Sequence, residues 1–272
     1  MKAKKINKLN HLVSNTLLEK KTLSRLKNYS NITNNISNAF IKAKYKNNDY
    51  ETIKVFEELN AYKLSLLSSN QKIDYSIFNA KNRTVSEISK NASSRKKWCE
   101  FYYILSREIG AKNILEIGTN LGVSGQYFLK AINENYGSQS FFLTFEGVPD
   151  LCKISEARFN QITKNNFKII QGFYDDTLNI VEKIEKKYDL IFIDGNHRYE
   201  PTLKYFNYLK KYCHENSIII FDDINWSSEM IRAWKKIKSN ENVVSIDMFN
   251  IGIVTFKKDS NLNYKFSLFY SL

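Results

Sequence analysis

The sequence has 272 residues, a formal net charge of +13 and a composition that is 43% hydrophobic and 14% aromatic. This length is enough for one large α/β domain with a helical extension, and only nine glycines and two prolines exclude fibrous and low-complexity classes. The three cysteines form no Cys-x-x-Cys pair, so they indicate neither a disulfide framework nor a zinc knuckle. The sequence contains no apolar run long enough to span a bilayer, and its basic start lacks a signal-peptide core, so we expect a cytoplasmic protein.

The positive charge is concentrated near the N-terminus. Residues 1–50 contain eleven Lys or Arg and two Asp or Glu, whereas residues 111–272 contain twenty and nineteen. A basic arm of this kind can contact nucleic acid, an anionic surface or an acidic substrate. The favoured interpretation is a solvated, partly frayed helical tail, because the rest of the chain is nearly neutral. We therefore expect no stable nucleic-acid partner, and we leave open a peripheral contact of the N-terminus with an anionic surface and the formation of a homo-oligomer.

The first part of the chain has helical patterns. Residues 1–48 carry a weak one, which the Asn-rich stretch 31–38 is predicted to break. Thr84 and Glu87 have the spacing of a capping box, in which each side chain satisfies a backbone N–H at the start of a helix. Stronger helices are predicted over residues 50–68, 84–90 and 94–109. We divide the chain into a basic helical extension, residues 1–83, and an α/β domain, residues 84–272.

From residue 112 short apolar runs alternate with helical stretches, which predicts a parallel sheet with helices on both faces. Only Phe249 and Asn250 separate the last two runs, so these should form an antiparallel hairpin. Residues 264–271 are predicted to add an edge strand. The predicted strands are 113–117, 141–146, 167–171, 188–193, 217–221, 243–248 and 251–257. The predicted helices are 124–135, 150–162, 176–186, 200–213 and 227–239.

A glycine turn follows the first of these strands. In the segment Asn113–Gly125 an apolar run contains Glu116, and Gly118 and Gly122 follow before a helical pattern begins. This arrangement lets backbone approach a nucleotide-like ligand, with free N–H groups at the helix start. The spacing differs from the Gly-x-Gly-x-x-Gly of dinucleotide enzymes, and a plain strand-to-helix turn is the alternative. The residues expected to bind a cofactor here are Glu116, Gly118, Thr119, Gly122 and Ser124.

Polar residues also stand at the ends of the next two strands, where ligands bind in open α/β sheets. Glu146 can accept hydrogen bonds from both hydroxyls of a ribose. Gly172 lets the backbone approach a ligand, and Phe173 or Tyr174 could pack on an adenine face. Asp176 is interpreted mainly as a helix cap.

Three carboxylates follow the fourth and fifth strands. They belong to Asp194, Asp222 and Asp223, and their mutual repulsion is costly unless a cation neutralises it. Oxygen ligands suit Mg²⁺, Mn²⁺ or Ca²⁺ better than zinc. The alternative is that Asp223 or Asn225 caps the following helix, which would leave the other two carboxylates unexplained.

Two further side chains lie near these carboxylates in the sequence. His197 comes three residues after Asp194, and a neutral imidazole is a suitable general base for a hydroxyl group. A structural histidine is the alternative. Trp226 could cover the pocket, although packing explains it equally well.

Three segments resemble class I S-adenosylmethionine-dependent methyltransferases. Residues 116–125 resemble motif I of that family. Residues 194–200 look like its Asp-Gly-Asp-His-x-Tyr-Glu block. Residues 172–178 are similar to the Gly-x-Phe-x-Asp-Thr-Leu segment of metal-dependent sugar O-methyltransferases that tailor macrolide and aminocoumarin antibiotics. The resemblance covers residues 84–257 and implies a Rossmann-like sheet closed by a C-terminal antiparallel hairpin.

The resemblance also implies a chemistry. Asp194, Asp222 and Asp223 match the Mg²⁺ ligands, and His197 matches the base that some relatives use. We also expect Asp194 to contact the cofactor, S-adenosylmethionine. Asn196 stands where many relatives have Asp, which weakens the case for an acidic base there.

The preferred hypothesis is metal-assisted methylation of a hydroxyl on a small-molecule or saccharide acceptor, such as a sugar, a glycan or a natural product. One alternative is a metal-independent or N-methyltransferase. Another is a non-catalytic methyltransferase fold whose basic arm binds RNA or a partner, although its neutral α/β part and lack of single-strand-binding motifs argue against RNA.

Overall fold

The structure is a computed structural model that describes residues 17–256, 265–268 and 270. It is a mixed α/β protein with two compact units. We call Tyr45–Lys186 the central unit, and Met1–Lys44 together with Lys187–Leu272 the terminal unit. The sequence-based division at residue 83 stays a prediction.

The central unit contains three parallel strands in the order β3-β4-β5, joined by helices. The first two of these strands are largely buried, as is typical of strands covered on both faces, whereas the third buries only Ile170. These strands are β3 (Asn113–Ile117), β4 (Phe141–Glu146) and β5 (Phe167–Gln171). A small antiparallel pair precedes them, β1 (Lys72–Ile73) and β2 (Arg83–Thr84). The helices are α3 (Tyr50–Leu66), α4 (Val85–Ala92), α5 (Lys96–Glu108), α6 (Gly125–Tyr136), α7 (Pro149–Ile162), α8 (Tyr174–Thr177) and α9 (Ile180–Ile184).

An aromatic core holds the helices of the central unit to its strands. The rings of Tyr102 on α5 and Phe128 on α6 stack with centroids 5.3 Å apart. Phe142 on β4 meets Phe159 on α7 edge to face at 5.6 Å. All four side chains are almost completely buried. Such pairs add to the stabilisation that comes from burial of their large apolar area.

The terminal unit has a mixed sheet. Strands β6 (Tyr188–Ile193) and β7 (Cys213–Phe221) are parallel, and β9 (Gly252–Phe256) lies antiparallel between β7 and β8 (Val243–Asp247). Strand β10 (Lys265–Ser267) pairs in parallel with β8, which confirms the edge strand within the described residues. The unit also contains α10 (Tyr199–Leu209), α11 (Ser228–Lys238), a helix α1 over residues 17–29 and most of α2 (Asn31–Tyr45).

The antiparallel hairpin is confirmed, but its turn is longer than predicted. Strand β8 ends at Asp247 and β9 starts at Gly252, so four residues connect them. The side chain of Asp247 accepts the Phe249 N–H at 3.0 Å, and Phe249 adopts a left-handed backbone with φ of 69°. The Asp247 side chain therefore satisfies a backbone N–H of the turn that has no partner in the strand ladder.

The predicted break over residues 31–38 is wrong, because α2 runs through this stretch. The chain breaks at Ser30 instead, where Ser30 and Thr33 exchange backbone-to-side-chain hydrogen bonds at 3.1 and 3.3 Å. Ile36 and Phe40 are fully buried on one side of α2. Their helical spacing outweighs the low helix propensity of the neighbouring asparagines.

The predicted helix over 176–186 is also wrong in extent, since the structure has the two short helices α8 and α9 there. Asp176 lies inside α8 and makes no capping hydrogen bond, so its interpretation as a cap is incorrect. Phe173 occupies the capping position through its carbonyl, which accepts the Asp176 N–H at 3.0 Å.

The capping box at Thr84 and Glu87 is confirmed. Across the described residues, we find no helix with the length and apolar content needed to cross a membrane.

Candidate active site

The glycine turn after β3 has backbone conformations that are unfavourable for residues with a side chain. Gly118 and Gly122 have φ values of 100° and 72°, in the region that favours glycine. The N–H groups of Gly118 and Thr119 both donate to the Phe145 carbonyl at 3.1 Å. A Cβ atom on Gly122 would lie 3.0 Å from the Phe159 ring, so this glycine is also needed for packing.

Glu116 lies beneath this turn and has no exposed surface. Its Oε1 accepts from the Ser124 hydroxyl at 2.6 Å, and its Oε2 accepts from Thr144 at 2.7 Å. The hydroxyls of Thr119 and Thr144 are 2.6 Å apart. The side chains of Glu116, Thr119 and Ser124 take part in this hydrogen-bond network below the turn, and their expected role at the cofactor stays a prediction. Thr144 was missed, because a threonine within an apolar strand gives no sequence signal.

Glu146 ends β4 and is held by backbone groups. Its Oε2 accepts the Asn120 N–H at 2.8 Å, and its Oε1 accepts the Val148 N–H at 2.9 Å. Burial raises the pKa of Glu146, although the backbone hydrogen bonds oppose that shift. The Gly147 N–H is a third backbone donor to this carboxylate, whose two oxygens can accept about four hydrogen bonds in all. The residue that was expected to bind ribose therefore also fixes the glycine turn through Asn120.

Gly172 and Phe173 follow β5 in the same unit. Gly172 has a φ of 139° and donates its N–H to the Glu146 carbonyl at 2.9 Å. This bond ties the end of β5 to the end of β4. Phe173 is 46% exposed, which is unusual for a phenylalanine. The structure thus places the central-unit candidates around the ends of three adjacent strands.

The terminal unit brings three candidate residues and His197 together. Asp194 and Asp222 directly follow the parallel neighbours β6 and β7, and the Asp222 N–H donates to the Ile193 carbonyl at 3.0 Å. The Asp223 N–H donates to Asp222 Oδ1 at 2.7 Å. His197 Nε2 lies 3.3 Å from Asp194 Oδ1. We call Asp194, Asp222 and Asp223 the carboxylate cluster.

The cluster shifts the pKa values of its members and its neighbour. Burial, with the charges of Asp194 and Asp223, raises the pKa of Asp222 well above its usual value. For His197, burial lowers the pKa, but the hydrogen bond and charge of Asp194 with the charges of Asp223 and Asp222 raise it to about 8. Like charges gathered in a poorly hydrated place have this effect.

Backbone strain coincides with the cluster. His197 and Asp223 have φ values of 41° and 53°, and Asn196 has 64°. Such conformations are costly for residues other than glycine, and they often occur at functional sites.

The helix-capping alternative for Asp223 or Asn225 is wrong. The Ser227 side chain caps α11 by accepting the Met230 N–H at 3.2 Å. Asn225 donates its side-chain amide to the Phe249 carbonyl at 2.6 Å. Trp226 is 64% exposed, so it is not a core residue.

The fit of a metal ion to the cluster depends on its donor chemistry. Within residues 17–256, 265–268 and 270, no three His, Cys, Asp or Glu side chains are arranged to hold a metal ion. A partly buried carboxyl group near two other carboxylates is nevertheless a place where a hard divalent cation would relieve repulsion. The donor set therefore fits such a cation, although the ligating arrangement is not present.

Comparison with known proteins agrees with these features. Residues 115–224 match a family model described as a methyltransferase domain. An uncharacterised protein of Acanthamoeba polyphaga mimivirus is 31% identical over 99 residues, which cover 35% of this chain and 45% of that protein. A provisionally named O-methyltransferase of Mycobacterium sp. (strain JLS) is 29% identical over 100 residues, covering 36% and 43%. The matched segments thus span less than half the length of these relatives.

Solved structures extend the similarity in fold. An O-methyltransferase from Bacillus cereus in complex with SAH has a TM-score of 0.55 at 18% identity, covering 77% of this chain and 92% of that one. Cofactor-bound Rv0187 from MTB has a TM-score of 0.58 at 15% identity, covering 82% and 96%. At these identities the likeness establishes a Rossmann-like α/β fold, as predicted. The family match assigns residues 115–224 to a methyltransferase domain, and the fold of the solved structures agrees with that assignment.

Proposed function

We propose that the protein transfers a methyl group from S-adenosylmethionine to a hydroxyl oxygen, and that a divalent cation assists the reaction. The observation that carries this proposal is the pairing of His197 with Asp194 beside Asp222 and Asp223. Methyl transfer to oxygen requires removal of a proton from a weakly acidic hydroxyl. A base and a group of cation-binding oxygens are the two features that this step needs.

The central unit would hold the cofactor. The turn around Gly118 allows close backbone approach, and the carboxylate of Glu146 at the end of β4 suits the ribose hydroxyls. The SAH complex of the Bacillus cereus O-methyltransferase, which has the same fold, supports this choice of cofactor. When bound, S-adenosylmethionine supplies an electrophilic methyl group. The role of Asp194 as a cofactor contact stays a prediction.

His197 would remove the hydroxyl proton. If Nε2 donates to Asp194 Oδ1, Nδ1 is left to accept the proton, and Asp194 stabilises the imidazolium that forms. With a pKa of about 8, His197 is mostly protonated at neutral pH and cannot accept it. The carboxylate cluster would bind a divalent cation, which supplies positive charge that acidifies the acceptor hydroxyl. The same charge would offset the carboxylates that hold the His197 pKa high.

We propose a sugar, a glycan or another natural product as the acceptor. The support is the likeness of residues 172–178 to the sugar O-methyltransferase segment and the exposed Trp226 indole after the cluster. An exposed indole can stack on the apolar face of a ring. A metal-independent or N-methyltransferase and a non-catalytic binding module remain the alternatives.

The remaining proposals concern location and partners. We propose a cytoplasmic protein, which the three free cysteines support. We propose that it binds no nucleic acid stably, because the helices α1 and α2 bury Leu26, Ile36 and Phe40. RNA binding that weakens steeply with salt would contradict this.

Metal binding is the sharpest test of the proposal. Isothermal titration should detect Mn²⁺ or Mg²⁺ binding to the wild-type protein and none to Asp194→Asn or Asp222→Asn. The matched control is Asp189→Asn. Asp189 lies on β6, the strand that precedes Asp194, and it forms a similar pair with His214 at 2.9 Å outside the carboxylate cluster. Equal metal binding by all four proteins would remove the metal from the proposal. Absence of SAH binding by the wild type would remove methyl transfer itself.

A further inference from the structure

Phe78 forms an aromatic corner with Phe173 in the central unit. The two ring centroids are 5.3 Å apart and the ring planes meet at 74°. Phe78 is 48% exposed and Phe173 is 46% exposed. The Phe78 ring also lies against Gly147, since a Cβ atom there would be 2.9 Å from Phe78 Cζ. Gly147 directly follows Glu146, so the corner adjoins the carboxylate that we assign to ribose.

The segment that carries Phe78, residues 74–82, is fixed by its own hydrogen bonds. The Asp74 side chain accepts the Ser76 N–H at 2.8 Å, and the Asn82 side chain accepts the Tyr75 N–H at 3.2 Å. The Asp74 N–H donates to Asp150 Oδ2 at 3.3 Å, which ties the segment to α7. These contacts hold Phe78 in place without burying its ring.

Tyr75 connects this segment to Glu146. Its ring is 6.5 Å from that of Phe78, and the guanidinium of Arg83 lies 5.7 Å from its centroid. Burial raises the pKa of Tyr75, and the nearby charge of Glu146 adds to the shift. Phe78 and Glu146 therefore belong to one neighbourhood of the central unit.

Core packing does not explain this corner. The core rings Phe142 and Phe159 of the same unit have no exposed surface, whereas Phe78 and Phe173 leave about half of theirs in water. Two adjacent exposed rings beside a ligand-binding carboxylate mark a place where a flat apolar group can be covered.

We infer that Phe78 and Phe173 form two walls of the adenine subsite of S-adenosylmethionine, so that residues 74–82 are part of the cofactor site. The inference rests on the proposed function. A base attached to a ribose at Glu146 would meet one ring face and one ring edge in the corner. Gly147, which has no side chain, leaves room for Phe78 to stand there. The sequence of residues 74–82 contains no motif that predicts a cofactor contact.

The first test measures the affinity for SAH by isothermal titration. Phe78→Ala should raise the Kd roughly tenfold, because loss of an aromatic partner for a base has about this effect. Phe78→Tyr keeps the ring and should retain near wild-type affinity. Ile77→Ala is the matched control, since Ile77 is a similarly exposed neighbour on the same turn. All variants should unfold at temperatures close to that of the wild type.

The second test reports contact independently of affinity. Saturating SAH should quench the fluorescence of Phe78→Trp more than that of wild type or Ile77→Trp, because only the indole at position 78 would meet the base. An unchanged Kd in Phe78→Ala, or no added quenching in Phe78→Trp, would overturn the inference while wild-type binding keeps the proposed function. A wild type that does not bind SAH would overturn both.

Discussion

Hydrogen bonds compensate the negative charges of two acidic side chains in the central unit, whereas the carboxylate cluster of the terminal unit brings like charges together. In the central unit, Glu116 accepts hydrogen bonds from side-chain hydroxyls, and Glu146 accepts them from backbone N–H groups. In the terminal unit, Asp222 is partly buried, and its burial and the charges of Asp194 and Asp223 raise its pKa. Hydrogen-bonded carboxylates make a prepared binding surface, whereas crowded carboxylates store repulsion that a cation or proton relieves. The first arrangement suits a ligand that binds by shape, and the second suits a charge.

The largest effect is expected from His197. His197→Ala should lower turnover by roughly two to four orders of magnitude, the usual contribution of a positioned base. His214→Ala is the matched control, because His214 pairs with Asp189 at a similar distance but lies outside the cluster. Steady-state kinetics at saturating cofactor measure this difference. SAH affinity should change little in either variant.

The pH dependence of turnover sharpens this prediction. The neutral imidazole is the active form, so activity should rise with pH and level off above a pKa of about 8 when no cation is bound. An added divalent cation should shift this rise to lower pH, because its charge opposes that of the carboxylates. In His197→Ala, the turnover should no longer rise with pH in this range. Near-normal turnover with the same profile would show that His197 has a structural role only.

The next largest effects should come from the glycine turn after β3 and from Glu146. Gly118→Val should weaken SAH binding by roughly one to two orders of magnitude, since a branched side chain opposes the φ of 100° and blocks the backbone. Gly137→Val is the control, because Gly137 also has a positive φ, and nothing lies within 4 Å of the Cβ position. It should show the backbone strain without the loss of affinity. Titration calorimetry and thermal unfolding separate the two effects, and equal loss in both variants would contradict the prediction.

Glu146→Ala should also weaken SAH binding, by roughly one order of magnitude or more, because it removes the ribose acceptor and the bond to Asn120. The wild-type affinity should fall on acidification at a pH above the ordinary glutamate range, since burial raises the pKa of Glu146 and only the ionised form accepts from both hydroxyls. Calorimetric titrations between pH 4 and 8 would show this fall, and Glu146→Ala should lack it. The same pH dependence in both proteins would assign it to another group.

A smaller effect, of opposite sign, is expected for stability at the crowded cluster. The pKa of Asp222 is higher in the folded state than its usual value, so the folded protein binds the proton more tightly than the unfolded chain. The associated stability is present at low pH and is lost as pH rises through the folded-state pKa. Without a cation at neutral pH, Asp222→Asn should therefore raise the melting temperature by a few degrees. Asp189→Asn should not. A lower melting temperature for Asp222→Asn would mean that the charge is already compensated.

The comparison also separates what could be predicted from the sequence from what could not. Strands β3 and β4 were predicted correctly, because runs of buried apolar residues between turn signals identify strands in a covered sheet. The residues after β6 and β7 were found for the same reason, since their position follows from the strand ends. The helix α2 was missed because its asparagines obscured the spacing of Ile36 and Phe40.

The structural roles of single side chains were harder to predict. Nothing in the spacing shows that Glu116 is buried under the turn, or that Phe78 reaches Phe173, since residues 78 and 173 meet only through tertiary packing. Local patterns report burial and period, whereas contacts between distant segments depend on the whole fold. Candidate site residues that are close in sequence to a strand end could therefore be predicted, whereas the contact of Phe78 with Phe173 could not.

The smallest effect is expected from Tyr62 on α3, which contacts the glycine turn. Its hydroxyl donates to the Leu121 carbonyl in the glycine turn at 2.7 Å, and the guanidinium of Arg158 lies 4.9 Å from its ring. Tyr62→Phe removes one hydrogen bond and keeps the ring, so SAH affinity should fall only several-fold, in line with about 1 kcal/mol for such a bond. Burial raises the pKa of Tyr62 to about 12, so the effect should not vary with pH below 10. Tyr50→Phe, at an exposed position on the same helix, is the matched control and should bind like the wild type. If Tyr62→Phe also binds like the wild type, the turn is held by Glu146 and its glycines without help from α3.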